Sequence, residues 1–339
     1  MARTAAVLVA LLTFLAGVAG CAATPESEPD AGGDDTAGYP VTLRHAYGET
    51  TLERRPERVL TWGWGSTDAA LALGVVPAAI PAATYGGNEE QVLPWNAEKL
   101  AELGAETPIL ISNPDGGATI PFEEIAAAAP DVILAVYSGI SAEEYRKLSE
   151  IAPTVAFPDQ PWATPWQDLV TTVGAALGRS EQADRLLEQI ATTIKDAGAE
   201  HPELAGKSVI AIWDDGQQLS VYKEIDPRVV FLTDLGLTVP PAVAQVPEVE
   251  PGFYGNISYE KADLLQSDLL LIYAETEEAL RATLARPAVK NLEQIEQGRY
   301  AAIVGQQLIA AGSPPTALSL TWALDEYVSR LSAAAKKVS

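Results

Sequence analysis

Apolar residues recur along this chain of 339 residues with two different periods, which predict strands alternating with helices. The β-rich runs at 59–62, 132–136 and 269–273 have the length of buried strands. Stretches with helical spacing follow several such runs, and Ser141 with Glu144 would open one helix as a capping box. This alternation is typical of βαβ units and a parallel sheet, so the predicted fold class is α/β.

The alternation occurs in two series, which predict two Rossmann-like lobes with a ligand cleft between them. The N-terminal α/β lobe is predicted over residues 41–165 and the C-terminal lobe over residues 207–339. Residues 166–206 are predicted to be linking helices, with Ser180 placed to cap a single long helix. Because such a helix resists bending, the lobes are expected to close only slightly on a ligand. A last amphipathic helix is predicted over 314–331.

The first 40 residues differ from the rest of the chain. An apolar run with Arg3 on its N-terminal side ends in small residues and Cys21, and it resembles a bacterial lipoprotein signal. Residues 1–20 are therefore predicted to be a signal peptide, and the acidic residues 21–40 a flexible tether. Lipidation of Cys21 would hold the protein on the outer face of the cytoplasmic membrane. The alternative is an uncleaved membrane helix, although the run is short of the ~20 residues that a span needs.

Charge and cysteine usage exclude several classes of function. The 46 acidic and 22 basic residues give a formal charge of -24, which repels nucleic acid. If Cys21 carries lipid, no disulfide is available, so stability must come from packing. His45 and His201 lie far apart in the sequence, and no second cysteine could join them in a zinc or copper site. We therefore expect neither a nucleic-acid partner nor a protein-bound metal.

Aromatic residues stand at the predicted strand ends, and ligands of doubly wound sheets bind beyond the carboxyl ends of the strands. We interpret these rings as the lining of a cleft for a bulky, flat-faced and partly apolar ligand. The predicted binding residues at these ends and in neighbouring loops are Trp62, Trp64, Tyr85, Trp95, Tyr137, Trp213 and Tyr222. Trp162 and Trp166 lie on the proline-rich crossover between the lobes. The alternative is that the rings pack inside each lobe.

Catalytic motifs are weak by comparison. The turn at 63–68 is similar to a phosphate loop, but Asp68 replaces its third glycine and would repel phosphate. Asp214 and Asp215 could supply the carboxylates of a cell-surface glycan hydrolase, although adjacent residues on a strand end point in opposite directions. The prediction is a binding protein with no enzymatic activity. A glycan hydrolase, or an adhesion lipoprotein without a small ligand, stays as an alternative.

Six segments carry a family likeness, at 41–45 (VTLRH), 58–60 (RVL), 73–75 (LGV), 121–125 (PFEEI), 130–134 (PDVIL) and 151–155 (IAPTV). Their order and spacing resemble the periplasmic-binding-protein family for iron-siderophore and cobalamin uptake, with a binding domain over about residues 57–335. The resemblance implies a monomeric receptor that captures a ferric siderophore between its lobes and delivers it to an ABC permease with its ATPase. The siderophore holds the iron, so no cofactor is implied. A haem or cobalamin receptor of the same fold is the alternative.

The resemblance also implies that one glutamate on each lobe docks on the permease, and the matching positions are Glu123 and Glu260. The predicted cleft loops offer Lys223 and Arg228 as basic candidates, which are few for a strongly anionic ferric catecholate. We therefore expect a neutral or cationic hydroxamate or mixed-ligand chelate. Arg228, at the start of a predicted helix, is expected to bind a ligand oxygen.

Overall fold

The computed structural model describes residues 38–249 and 252–338. The predicted signal peptide, Cys21 and nearly all of the predicted tether lie outside the described residues. The described residues form one compact unit. In the part of the chain that the structure describes, no helix combines the length and the apolar character that a membrane span requires.

The N-terminal lobe begins with a hairpin, whose strands β1 (Val41–His45) and β2 (Gly48–Leu52) are antiparallel. The lobe continues with β3 (Val59–Gly63), α1 (Ser66–Ala72), β4 (Ala79–Pro81), α2 (Pro94–Glu102), β5 (Ile109–Ile111), α3 (Phe122–Ala127), β6 (Val132–Tyr137), α4 (Ala142–Ile151) and β7 (Thr154–Val155). Strands β3 to β7 form a parallel sheet in the order β5-β4-β3-β6-β7. The predicted capping box is confirmed, since the Ser141 hydroxyl accepts from Glu144 N and the Glu144 carboxylate accepts from Ser141 N.

Two helices link the lobes, α5 (Trp166–Ala176) and the 21-residue α6 (Ser180–Glu200). The single long connecting helix is thus confirmed. The predicted Ser180 cap is wrong, because the helix is already formed at Ser180 and Arg179 precedes it without a capping side-chain hydrogen bond. Ile190 and Ile194 of α6 are buried in the main apolar cluster, which takes in residues of both lobes. This shared core fastens the linking helix to the lobes over much of its length.

The C-terminal lobe contains β8 (Val209–Asp214), β9 (Leu219–Tyr222), α7 (Pro227–Asp234), β10 (Glu248–Val249), β11 (Tyr254–Ile257), β12 (Leu269–Ala274), α8 (Glu277–Ala285), α9 (Pro287–Lys290), α10 (Glu293–Glu296), β13 (Tyr300–Val304), α11 (Gln306–Gly312) and α12 (Ser319–Ala335). Its sheet has the order β10-β11-β9-β8-β12-β13. Strands β8, β12 and β13 are parallel, whereas β9, β10 and β11 pair antiparallel. The lobe is therefore α/β as predicted, but its sheet is mixed.

The last helix begins at Ser319, whereas its predicted start was residue 314, five residues earlier. A residue before proline disfavours helical backbone, so Pro314 and Pro315 keep this stretch out of the helix. Thr316 and Ser319 pair at this end of the helix: the Thr316 hydroxyl accepts from Ser319 N at 3.1 Å, and the Ser319 hydroxyl accepts from Thr316 N at 2.8 Å. The non-helical stretch reaches the N-terminal lobe, where the Trp64 indole N–H donates to Pro314 O at 3.0 Å.

A fully buried carboxylate fastens the same stretch to the N-terminal lobe. Asp68, on α1, accepts hydrogen bonds from the Trp95 indole, the Asn96 amide and the Thr316 hydroxyl. Burial raises the pKa of Asp68, although these three donors act to lower it. Asp68, in the turn that is similar to a phosphate loop, therefore links the N-terminal lobe to the stretch before α12.

Candidate functional site

A cavity of about 320 Å³ lies where the two lobes meet, within the usual range for small-molecule sites. Most of its lining is aromatic or aliphatic, and it comes from both lobes. The lining residues are Tyr137, Trp162, Ala163, Thr164, Pro165, Trp166 and Gln167, together with Ile225, Asp226, Pro227, Arg228, Val230, Phe253, Tyr254 and Pro314. Ile225, at the edge of this lining, is 62% exposed.

Tyr137 and Trp162 form the N-terminal side of the cavity. Tyr137 ends β6, and its ring meets the Trp162 ring edge to face with centroids 5.7 Å apart. Trp162 has a φ of 58°, a left-handed backbone that is rare for a bulky residue and recurs at binding sites. Gly139 permits this placement, because a Cβ there would lie only 2.2 Å from the Trp162 Nε1.

Arg228 forms the charged part of the C-terminal side, at the start of α7. Its Nε and Nη2 each donate to a different oxygen of Asp226 at 2.7 Å, and its Nη1 donates to the Ser313 hydroxyl at 2.8 Å. The guanidinium also lies over the Tyr222 ring, 3.7 Å from the centroid. Burial acts to lower the pKa of Arg228, but the hydrogen bonds and charge of Asp226 outweigh it and raise the pKa. Arg228 is therefore charged and held rigidly.

A smaller cavity of about 100 Å³ lies beside the first, on the N-terminal lobe. Trp64 and Tyr85 line it, and Trp162 borders both cavities. Gly63 places Trp64 here: its φ is +84°, and a Cβ would lie 2.2 Å from Tyr137 O, so only glycine permits the turn.

The phenols of this region keep their protons at neutral pH. Burial raises the pKa of Tyr137 to about 12, against a lowering effect of Arg228. Burial, followed by the negative charge of Glu275, raises the pKa of Tyr85 to about 12. Both hydroxyls can therefore donate to an oxygen of a ligand.

A family model described as "Periplasmic binding protein" matches residues 59–303, which is more than half of the chain. The chain belongs to the periplasmic binding protein family. The resemblance inferred from the sequence segments is thereby confirmed at the level of the family.

Solved structures of similar proteins share the fold of this periplasmic binding protein. Streptococcus pneumoniae TIGR4 PiaA, solved in complex with ferrichrome, is 36% identical, with a TM-score of 0.78 over 88% of this chain and 100% of PiaA. A periplasmic solute binding protein from Mycobacterium smegmatis is 31% identical, with a TM-score of 0.74 over 87% of this chain and 98% of that protein. The petrobactin-binding protein YclQ of Bacillus subtilis is 23% identical over 228 residues, which is 64% of each chain. The match thus spans less than two thirds of YclQ.

The structure brings together Tyr137 and Arg228 at the larger cavity and Trp64 and Tyr85 at the smaller one. Tyr222 lines neither cavity, because its ring, only 8% exposed, packs beneath the Arg228 guanidinium.

Three further predicted rings line neither cavity of this periplasmic binding protein. Trp62 is 0% exposed because β3 is covered on both faces, and alternation turns its ring into the lobe interior with Leu60. Trp95 is 2% exposed and donates to Asp68. Trp213 packs half-buried against the main apolar cluster.

Lys223 is also turned away from the cavity. Its ammonium is buried and donates to Val243 O at 2.8 Å and to Val246 O. Among the described residues that line the larger cavity, Asp226 and Arg228 carry the only charges. The sequence suggested two basic groups for the cleft, whereas the structure supplies one, already paired.

Some lining residues were not among the predicted set. Trp162 and Trp166 come from the crossover, and Phe253 and Tyr254 from the start of β11. The proline-rich composition around the two tryptophans was the available signal, since it marks an irregular segment that passes over the lobe junction. The sequence around Phe253 carries no comparable signal.

The proposed docking glutamates are both exposed. Glu123 lies in the first turn of α3, and Glu260 lies on the 3-10 turn Tyr259–Leu264. The Tyr259 hydroxyl beside Glu260 donates to Asp214 at 2.6 Å, which fixes the turn.

Asp214 and Asp215 both accept hydrogen bonds from neighbouring residues of their lobe. Asp214 accepts from Tyr259, Thr283 and Arg286, and Asp215 accepts from Gln217 N at 2.7 Å and Gln218 N at 2.8 Å. Burial acts to raise the pKa of Asp214, but the hydrogen bonds, first that from Tyr259, lower it. The general acid of a glycan hydrolase needs a raised pKa, so Asp214 is unsuited to that role.

Proposed function

We propose that this protein is an extracytoplasmic receptor that captures an uncharged ferric hydroxamate siderophore and delivers it to an ABC permease. The observation that carries the proposal is the cavity between the lobes, with aromatic rings from both sides and a single, neutralised guanidinium. Rings of this kind pack on the organic frame of a chelate, and the phenols of Tyr137 and Tyr85 can donate to its oxygens.

The charges of the cavity favour an uncharged chelate. Arg228 and Asp226 cancel each other, and no further charge comes from the described lining residues. A ferric tris-catecholate carries three negative charges, and moving it from water into this cavity would be costly without cationic partners. The formal charge of -24 on the whole chain adds long-range repulsion. Three hydroxamates, by contrast, neutralise the ferric ion.

The comparison with PiaA supports the same ligand class. That protein was solved in complex with ferrichrome, an uncharged ferric trihydroxamate, and it is 36% identical to this chain over its whole length. Two relatives named for other ligands are less similar: petrobactin-binding YclQ is 23% identical and ferric enterobactin-binding FepB is 28% identical.

Titration of the protein with ferrichrome, followed by tryptophan fluorescence and calorimetry, tests the proposal. We expect saturable binding with one chelate per protein. Haem, cobalamin and a ferric tris-catecholate are titrated as comparison ligands, and for these we expect no saturation in the same concentration range. If only haem or cobalamin shows saturable binding, the ligand is that macrocycle and the proposal of a siderophore is wrong.

Docking on a permease is proposed through Glu123 and Glu260, one on each lobe. Exposed charges at these two places would give charge complementarity and register to a transient complex. We expect Glu123→Lys with Glu260→Lys to abolish uptake of radiolabelled iron chelate by cells, while ferrichrome affinity stays within about twofold. The control replaces Asp184 and Glu188, two exposed acidic residues of α6, with lysine. Equal uptake by the two double variants would contradict the docking role.

A lipid anchor on Cys21 is proposed from the sequence alone. The apolar run and the small residues before the cysteine support it. Replacing Cys21 with serine should move the protein from the membrane fraction to the soluble fraction of the cells that produce it. An unchanged distribution would argue for another mode of attachment.

A further inference from the structure

Asp226 is the residue whose negative charge balances Arg228 in the cavity, and it accepts three hydrogen bonds from Arg228. It is fully buried at 0% exposure, at the N-cap position of α7. Its two oxygens meet the Nε and Nη2 of Arg228 side by side, each at 2.7 Å. One of the same oxygens also accepts from Arg228 N at 2.9 Å, which caps the helix.

These contacts leave a defined set of donors for a ligand. A guanidinium has five N–H groups, and here Asp226 takes two and the Ser313 hydroxyl takes one. Among the described residues none takes the remaining N–H on Nη1 or the one on Nη2, and the Tyr222 ring beneath fixes the plane of the group. The cavity thus offers two oriented donors with no net charge, which suits the oxygen of a carbonyl or hydroxamate.

We infer that Asp226 determines the charge selectivity of this receptor: by cancelling Arg228 inside the cavity, it admits uncharged ferric hydroxamates and excludes anionic chelates. The inference rests on the proposed function. An isolated guanidinium would attract a negatively charged chelate, whereas the pair presents only a dipole. Capping alone does not require a charge, because asparagine caps a helix as well as aspartate does.

The test uses one iron core with three different charges. A linear ferric trihydroxamate with a terminal amine is cationic, its acetylated form is uncharged, and its succinylated form is anionic. For the unsubstituted protein we expect the uncharged chelate to bind more tightly than the anionic one. Asp226→Asn keeps the size of the side chain and the helix cap but leaves the Arg228 charge uncompensated. This variant should bind the anionic chelate about tenfold more tightly and the cationic one more weakly.

A salt series separates electrostatic selectivity from structural damage. In Asp226→Asn the affinity for the anionic chelate should fall as ionic strength rises, while that for the uncharged chelate should stay constant. Asp226→Glu, which keeps the charge, should retain the original order of the three chelates. The double variant Asp226→Asn with Arg228→Gln has no charge at this place and should lose the gain for the anion.

If Asp226→Asn weakens all three chelates by one common factor, Asp226 only positions Arg228 and the inference is wrong. Should that variant fail to fold, Arg228→Gln leaves the Asp226 charge alone and must shift preference toward the cationic chelate. An unchanged preference would equally overturn the inference. Failure of the unsubstituted protein to bind any of the three chelates would instead overturn the proposed function.

Discussion

Truncation of Trp162 to alanine is expected to weaken ferrichrome binding by about 30-fold or more. Large aromatic side chains at the centre of a binding surface commonly contribute about 2 kcal/mol or more when truncated, which corresponds to this factor. Trp162 qualifies because it borders both cavities and meets Tyr137 edge to face at 5.7 Å. Because the Trp162 side chain is 37% exposed, its truncation should not destabilise the fold. Alanine keeps the same backbone strain at a φ of 58°, so the strain is equal in the two proteins.

Calorimetric titration with ferrichrome measures this effect, and Trp162→Phe should lie between the alanine variant and the original protein. The matched control is Trp322→Phe, since Trp322 lies on α12 with its indole bonded to Glu98 and lines neither cavity. The control should bind ferrichrome normally. Normal affinity in Trp162→Ala would show that the chelate does not contact this ring.

Replacement of Asp68 with alanine is expected to lower the free energy of unfolding by about 3 kcal/mol or more. The variant leaves the Trp95 indole, the Asn96 amide and the Thr316 hydroxyl without their acceptor in a buried place. Each unsatisfied buried donor costs about 1 kcal/mol or more. Because Thr316 belongs to the stretch before α12, the loss should also loosen the contact between the lobes.

The pH dependence of this loss has a definite sign. Burial raises the pKa of Asp68, so its contribution to stability is fully present below the unfolded pKa and is lost as pH rises through the folded pKa. The difference in urea unfolding free energy between Asp68→Ala and the original protein should therefore shrink as the solution becomes more alkaline. Asp184→Ala, at an exposed residue of α6, is the control and should change little. A difference that grows with pH would contradict the raised pKa.

The sequence predicted most strands because buried strands are short apolar runs bounded by polar turns. It did not predict β4 (Ala79–Pro81), since proline ends this strand and a second proline stands two residues before it, and prolines in a short run argue against a strand. The start of α12 was misplaced, because the Pro314-Pro315 pair forms a turn whose geometry depends on Thr316, Ser319 and the neighbouring lobe.

The candidate site shows the limit of reasoning from strand ends. Trp62 and Trp64 are two residues apart, yet one is buried and the other lines a cavity. The difference arises from an irregularity in the pairing of β3 with β6 at Gly63, which no period in the sequence reveals. Lys223 was similarly ambiguous, because a lysine at a strand end can face the cleft or donate to carbonyl groups inside its own lobe.

The central claim is that an uncharged ferric chelate binds between the lobes, and a crystal structure with ferrichrome, recorded at the iron absorption edge, tests it most directly. We predict one anomalous peak inside the cavity lined by Tyr137, Trp162 and Arg228, with the two available N–H groups of Arg228 on chelate oxygens. An iron peak elsewhere on the protein, with this cavity filled only by solvent, would contradict the account.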